Sequence, residues 1–195
     1  MSISRAGTAP NSTMRRASAC RTIRAHVAAW ARELSNGGWP ASIDHVDLRT
    51  ANAQRLEEGR LLVYDWEEAT VSCPFFSLDR LLDEARTLDR PESAEGKGDA
   101  FAAAANVTVN GTALCGGAHE IAVRRAYLER LPWRSAAERE RGLDLALCLA
   151  PIKFAQECKV FTHALAWDCQ WSTLTAFCVA RALQRWGSFL NKYGE

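Results

Sequence analysis

The sequence predicts a mainly α-helical fold that contains one small β-hairpin. Apolar residues recur at helical spacing near the start of the chain, at Ile23, Val27, Trp30 and Leu34. The same periodicity returns after residue 76 and again from residue 118 to the end of the chain. Between these regions, residues 43–64 contain short apolar runs separated by turn residues, which is typical of short strands.

The composition is that of a globular protein with a single core. Of the 195 residues, 48% are hydrophobic and 24% are charged, and a chain of this length can bury one sizeable core. The 24 basic and 23 acidic residues leave a net charge of +1, so no overall field attracts nucleic acid or an anionic membrane. No uncharged apolar run reaches the length of a membrane span. We therefore expect no nucleic-acid partner and no membrane partner.

Cysteine usage and the composition of the first residues bear on location and domain organisation. The seven cysteines are odd in number and contain no C-x-x-C pair, which favours reduced thiols in a cytoplasmic protein. Residues 1–18 are small, polar and aperiodic, and we expect them to form a flexible tail. Residues 19–195 are expected to form the folded unit.

The first half of the chain predicts one helix followed by extended segments. The first helix is expected from Cys20 to Leu34, before a pair of glycines. Extended pieces are expected at residues 43–46, 53–56 and 61–64. The last two flank a turn that contains glycine, so they predict the hairpin.

Helices dominate the second half of the predicted fold. One helix is expected from Phe76 to Pro91, which stops it. Residues 91–117 are rich in Gly, Ala, Asp and Asn and predict a long loop or a partly helical insertion. Further helices are expected at residues 118–131, 135–164 and 168–192.

Two local signals concern the long helix at residues 135–164. Ser135 and Glu138 form a capping box that marks its start. Pro151 lies in its interior and is expected to kink or split it.

One short segment carries residues suited to chemistry. His45, Asp47 and Asn52 form the pattern H-x-D-x-x-x-x-N, and Asp65 follows thirteen positions after the asparagine. A hydroxyl that attacks a γ-phosphate needs an acceptor for its proton, and Asp47 can provide one. Asn52 can bend round to hold a metal ion. Magnesium prefers oxygen ligands, and Asp65 can bring a second one from the end of the hairpin.

These segments resemble a known family of enzymes. HVDLRTAN at residues 45–52 and VYDWEEA at residues 63–69 are similar to the H-G-D-L-x-x-x-N and (I/V)-D-W-E motifs of the aminoglycoside phosphotransferase and choline kinase-like small-molecule kinases. CPFFSLDRLL at residues 73–82 resembles the G-x-P-x-x-D-L entry into the next helix of that family. The resemblance covers residues 20–190, and its specific motifs lie within residues 45–67.

The resemblance implies a fold, a reaction and a set of site residues. The fold would be the C-terminal lobe of a protein-kinase-like fold, with the hairpin carrying the catalytic and metal segments. The reaction would be Mg²⁺-dependent transfer of the γ-phosphate of ATP to a hydroxyl of a small molecule. Asp47 would be the catalytic base or substrate-orienting carboxylate, and His45 would organise its loop. Asn52 and Asp65 would bind Mg²⁺ and ATP, and Glu67 would assist at the metal.

The chain departs from the family pattern at three places. Val46 replaces the usual glycine, which matters if that position requires a positive φ. Ser77 stands where an aspartate is common. Residues 1–44 contain no lysine and no Gly-rich strand–turn–strand, so the family's N-terminal nucleotide lobe is expected to be missing or separate.

Two alternatives remain open from the sequence. The chain could be a non-catalytic remnant of a kinase lobe that acts as a ligand-binding or scaffold protein. The acidic residues that follow the motif could form a patch that attracts a cationic acceptor, or the solvated face of a helix, which we favour. These residues are Glu68, Asp79, Asp83 and Glu84.

Overall fold

The computed structural model describes residues 12–89, 116–165 and 171–194, with side-chain environments for residues 22–89, 116–157 and 177–194. Five helices and four short strands lie within these ranges, which confirms the mainly α-helical class. They are α1 (Ser12–Asn36), β1 (Ser42–Asp44), β2 (Ala53–Arg55), β3 (Leu61–Val63), β4 (Thr70–Ser72), α2 (Leu78–Leu88), α3 (Ala118–Glu129), α4 (Ala136–Leu165) and α5 (Trp171–Tyr193).

Two sequence-based expectations fall partly or wholly outside the described ranges. The helix α1 begins at Ser12 rather than at Cys20, so it includes part of the segment expected to be a tail. The rest of that segment, residues 1–11, lies outside the described residues, as does most of the expected loop at residues 91–117.

Two antiparallel strand pairs form the small β region. β2 pairs with β3, with Ala53 opposite Val63, which confirms the predicted hairpin. β1 pairs with β4, with Asp44 opposite Thr70, a pairing that the sequence did not predict. Because Asp44 ends β1 and Thr70 begins β4, this pairing closes residues 45–69 into one loop that contains the hairpin.

The hydrophobic core lies between the helices. Trp30 of α1 is buried with its ring 5.1 Å from that of Phe189 in α5. Leu143 and Leu147 bring α4 into the same cluster, and Leu82 brings α2. The helical spacing in the sequence therefore identified the faces that pack together.

Glycine is required at one point where α4 meets the chain before α2. A Cβ atom at Gly142 would lie 2.7 Å from side-chain atoms of both Phe75 and Trp39. These two rings pack edge to face, with centroids 4.8 Å apart. The absent side chain thus lets an aromatic pair reach the backbone of α4.

The long helix α4 begins as predicted but continues through its proline. Ser135 N donates to Glu138 Oε2 at 2.9 Å and Glu138 N donates to Ser135 Oγ at 3.3 Å, which confirms the capping box. Pro151 does not split the helix. A proline cannot bond the carbonyl four residues earlier, and here Leu147 O accepts instead from Arg185 Nη1 at 2.7 Å. A side chain of α5 therefore satisfies the carbonyl that the proline leaves unpaired.

Two acidic residues of α2 join that helix to α5. Asp79 Oδ1 lies 2.5 Å from Arg185 Nη1, and its other oxygen lies 3.1 Å from Arg181 Nη2. Asp83 pairs with the same two arginines. Burial alone would raise the pKa of Asp79, but the two guanidinium groups outweigh it and lower the pKa to about 2. Asp79 and Asp83 are thus ion-pair partners between helices, and the solvated-face interpretation is wrong for them.

The cysteines with described side chains, Cys73, Cys148 and Cys178, are free thiols. Burial raises the pKa of Cys73 to about 11 and that of Cys148 to about 12. Both are therefore protonated near neutral pH and unreactive as nucleophiles. Among the described helices, none combines the length and hydropathy of a bilayer-spanning segment.

Candidate functional site

His45 begins the candidate catalytic loop, directly after β1. Its side chain is buried, and its Nε2 donates to Tyr64 O at 2.9 Å. Its ring packs against Trp66 with centroids 4.6 Å apart. Tyr64 N in turn donates to Asn52 O at 3.1 Å. His45 thus ties the start of the loop to the segment that leads into Asp65.

Val46 adopts a left-handed backbone conformation. Its φ is 65°, and Asp47 N donates to His45 O at 2.7 Å across it, which makes a tight three-residue turn. Positive φ is costly for a β-branched residue. This is the position at which the kinase motif of the resemblance has glycine, so the departure noted in the sequence is a point of strain.

Replacing Val46 by glycine is expected to raise the free energy of unfolding by about 1 kcal/mol. Relief of the positive-φ strain is worth about 1–3 kcal/mol, and the greater freedom of glycine in the unfolded chain offsets part of it. Urea denaturation followed by circular dichroism measures the change. Val71→Gly, on an exposed strand position without positive φ, is the control and should lose stability. A loss of stability in Val46→Gly would contradict the strain argument.

Asp47 and Asn52, which are five positions apart in the chain, contact each other in the structure. Asn52 is buried, and its Nδ2 donates to Asp47 O at 3.0 Å and to Asp47 Oδ2 at 3.1 Å. The intervening chain turns through a short 3₁₀ helix at Thr50–Asn52. Because the amide uses its nitrogen for both bonds, its Oδ1 remains the atom that could bind a cation.

The N-cap residue of α2, Ser77, and one face of that helix support the loop along its length. Ser77 Oγ accepts from His45 N at 3.0 Å, and Glu84 Oε2 accepts from Thr50 N at 2.8 Å. Between them, Arg80 Nε lies 3.7 Å from Asp47 Oδ1. This supporting role of Ser77, Arg80 and Glu84 was not predicted from the sequence. The signal was available, since residues 77, 80 and 84 share one face of a helix.

Beneath the turn lies a buried carboxylate, Asp44. Its Oδ1 accepts from Val46 N at 3.0 Å and from Ser77 Oγ at 2.9 Å, and its Oδ2 lies 2.9 Å from Lys153 Nζ. Burial would lower the pKa of Lys153, but Glu157 and Asp44 outweigh it and raise the pKa. Lys153 therefore stays charged and neutralises the carboxylate that holds the Val46 turn.

The segment that the sequence predicts to bind a metal lies at the surface. Asp65 and Glu67 are both exposed, and Asp65 also has a positive φ, of 67°. Partial burial, together with the negative charges of Asp47 and Glu67, raises the pKa of Glu68. Glu68 is itself exposed, in agreement with the solvated environment that its sequence context favours.

The described residues offer a sparse set of ligands for a magnesium ion. Within residues 22–89, 116–157 and 177–194, no three His, Cys, Asp or Glu side chains cluster closely enough to hold a metal by themselves. Magnesium usually takes one or two protein ligands and completes its shell with phosphates and waters. The Oδ1 atom of Asn52 and the exposed carboxylate of Asp65 are oxygen donors of the type that magnesium binds.

A small cleft opens beside the loop, between Val46, Arg80, Lys153 and Phe154. Its volume is about 20 Å³, which holds one water-sized group. A ligand larger than a water molecule would therefore not fit inside this cleft.

Searches against models of protein families, curated proteins and solved structures find no match for this chain.

Proposed function

We propose that this chain is the C-terminal lobe of a Mg²⁺-dependent phosphotransferase that moves the γ-phosphate of ATP to a hydroxyl of a small molecule. The observation that carries the proposal is the backbone at Val46. The aminoglycoside phosphotransferase-like motif has glycine there, and this chain has a φ of 65° at the same position. A chance H-x-D-x-x-x-x-N pattern would need no such conformation.

The contacts within the loop support a role for each residue. Asp47 would accept the proton of the acceptor's hydroxyl group. The oxygen of that hydroxyl group would bond to the γ-phosphorus while the bond between the γ-phosphorus and ADP breaks. Asn52 would keep Asp47 oriented through its amide nitrogen. Asn52 and Asp65 would hold a magnesium ion, with Glu67 assisting, and the ion would supply positive charge to offset that of the phosphates. His45 would keep the two segments together through its bond to Tyr64.

The proposal includes two wider features. A nucleotide-binding N-terminal lobe would be a partner of this lobe, whether in the same polypeptide or a separate one. The location would be cytoplasmic, where ATP is present and thiols such as Cys73 stay reduced.

A second candidate function is favoured by one observation. Asp47 is engaged by two arginines, with Arg49 Nε 2.9 Å from its Oδ2 and Arg80 Nε 3.7 Å from its Oδ1. A carboxylate engaged in this way suits a non-catalytic lobe that holds a ligand or acts as a scaffold.

The proposal predicts a magnesium-dependent thermal shift with ATP. At a hundredfold excess over its dissociation constant a ligand adds about 2.7 kcal/mol, which raises the melting temperature of a domain of this size by roughly 5–10 °C. Asp65→Ala should abolish this shift because it removes one of the expected magnesium ligands. The measurement is a thermal melt of the full chain with ATP, in the presence and absence of Mg²⁺.

Glu57→Ala is the matched control, since it removes an exposed carboxylate in the hairpin turn. It should keep the full shift. The absence of any shift in the unaltered chain, or an equal shift in Asp65→Ala, would contradict the proposed metal–nucleotide site. The non-catalytic candidate would be excluded by two results together: a thermal shift in the unaltered chain, and ATP turnover that is lower in Asp47→Asn than in the unaltered chain.

A further inference from the structure

Lys153 of α4 reaches the strand that leads into the candidate catalytic loop. Its Nζ lies 2.9 Å from Oδ2 of Asp44, the last residue of β1. It also pairs with Glu157, one turn further along α4, and lies 5.6 Å from the centre of the Phe76 ring. These three contacts hold the ammonium group against the end of β1.

The Asp44 carboxylate connects this ammonium group to the loop. Asp44 is buried, and its Oδ1 accepts from Val46 N at 3.0 Å. In the same tight turn, Asp47 N donates to His45 O at 2.7 Å. A hydrogen bond to an ionised acceptor is about twice as strong as one between neutral groups, and a buried carboxylate needs a counter-charge. By supplying that charge, Lys153 strengthens the bond that holds the turn.

The turn determines the direction in which Asp47 projects. Asp47 directly follows Val46, whose φ of 65° is strained for a valine and relaxes unless other contacts hold it. A change of this dihedral would move the Asp47 carboxylate away from Asn52 Nδ2, which now lies 3.1 Å from it. A displacement of about 1 Å in a reacting group can lower a rate about 100-fold. The position of Asp47 therefore depends on the support beneath Val46.

Stability alone is a poor explanation for a buried ion pair at this point. Apolar residues of similar volume often stabilise a fold as well as a buried ion pair does. The chain contains a comparable pair, Lys192 with the buried Asp144, which joins two helices far from the loop in sequence. The Lys153–Asp44 pair differs from it because it lies directly under a strained turn.

We propose that Lys153 is a positioning residue for phosphoryl transfer: acting through Asp44, it holds the Val46 turn and so sets the position of the Asp47 carboxylate. The role of Asp47 in this inference rests on the proposed function. The hold of Lys153 on the turn does not, so the two are tested by separate measurements.

The first measurement is hydrogen exchange of the full chain, followed by NMR at the Val46 and Asp47 amides. The Leu143 and Leu147 amides of α4, in the core, are the reference. Lys153→Met should exchange about tenfold faster at the two loop amides, beyond any change at the reference amides, because the bond from Val46 N loses its charge assistance. Lys153→Arg keeps the charge and should restore most of the protection.

Two further variants make the exchange measurement specific. Lys192→Met removes the lysine of the comparable pair and should cause no selective loss of protection in the loop. The double variant Asp44→Asn with Lys153→Met leaves no unpaired charge buried, and its loop amides should still exchange faster than in the unaltered chain because the acceptor is neutral. Unchanged loop exchange in Lys153→Met and in the double variant, or an equal selective change in Lys192→Met, would overturn the proposal.

The second measurement is the steady-state turnover of ATP by the full chain with Mg²⁺. Lys153→Met should lower kcat about tenfold and change KM for ATP less than about threefold, since Asn52 and Asp65 remain. Lys153→Arg should restore kcat. Turnover in the unaltered chain that Lys153→Met leaves unchanged would overturn the proposal and keep the proposed function. Selective loop exchange in Lys153→Met, without any turnover in the unaltered chain, would refute the proposed function and support the hold of Lys153 on the turn.

Discussion

Asp144→Ala is expected to lower the free energy of unfolding by about 3–5 kcal/mol, because it breaks a buried ionic network. The Asp144 side chain is fully buried in α4. Its Oδ1 lies 2.5 Å from Arg124 Nη2 of α3, and its Oδ2 accepts from Lys192 Nζ at 2.6 Å and from Tyr193 OH at 2.8 Å, both in α5. Removing the carboxylate leaves the buried guanidinium of Arg124 without the anion that is buried with it.

Urea denaturation of the full chain measures this effect, and Glu140→Ala is the matched control. Glu140 Oε2 lies 2.6 Å from the same Arg124 Nη2 but is 41% exposed. Its removal should therefore lower the free energy of unfolding by less than about 1 kcal/mol. Equal losses in the two variants would show that burial does not set the strength of this network. Asp144→Asn, which keeps the shape and loses the charge, should fall between them.

Asp44→Ala is expected to lower the free energy of unfolding by about 3 kcal/mol and to loosen the candidate catalytic loop. It removes the buried acceptor of Val46 N and Ser77 Oγ and leaves the half-buried Lys153 without that counter-ion. The strained turn at Val46 loses the bond that supports it. Urea denaturation gives the stability change, and hydrogen exchange at the Val46 amide gives the local effect.

Ser77→Ala separates support of the loop from neutralisation of Lys153. It removes the bonds of the hydroxyl to His45 N and Asp44 but leaves the Asp44–Lys153 pair intact. We expect the free energy of unfolding to fall by about 1 kcal/mol in Ser77→Ala. Unchanged protection of the Val46 amide in Asp44→Ala would contradict the idea that Asp44 holds the turn.

Local spacing was enough to predict the hairpin beside the candidate site. The five-residue separation of Asp47 and Asn52 brings their side chains into contact, and the hairpin after Asn52 forms as expected. The support of the loop could not be predicted in the same way. Asp44 and Lys153 are far apart in the sequence, and a single lysine in a helix carries no signal of its partner.

The acidic residues after the motif illustrate the same limit. Glu84 accepts a hydrogen bond from Thr50 N in the loop, and Asp79 pairs with Arg185 of α5. Their sequence pattern fits a solvated helix face equally well, because amphipathic spacing indicates which residues avoid the core and not which charge they meet. The partners depend on how α2 packs against the loop and against α5.

The sequence by itself determined the helical class, the faces that pack in the core, the capping box and the hairpin, since each depends on residues close together in the chain. Only the tertiary structure decided that α4 continues through Pro151, because an arginine from α5 satisfies the free carbonyl. It also decided that Val46 is held at positive φ. Local energetics oppose both features. A buried hydrogen bond from α5 compensates for the first, and Asp44, itself held by the distant Ser77 and Lys153, supports the second.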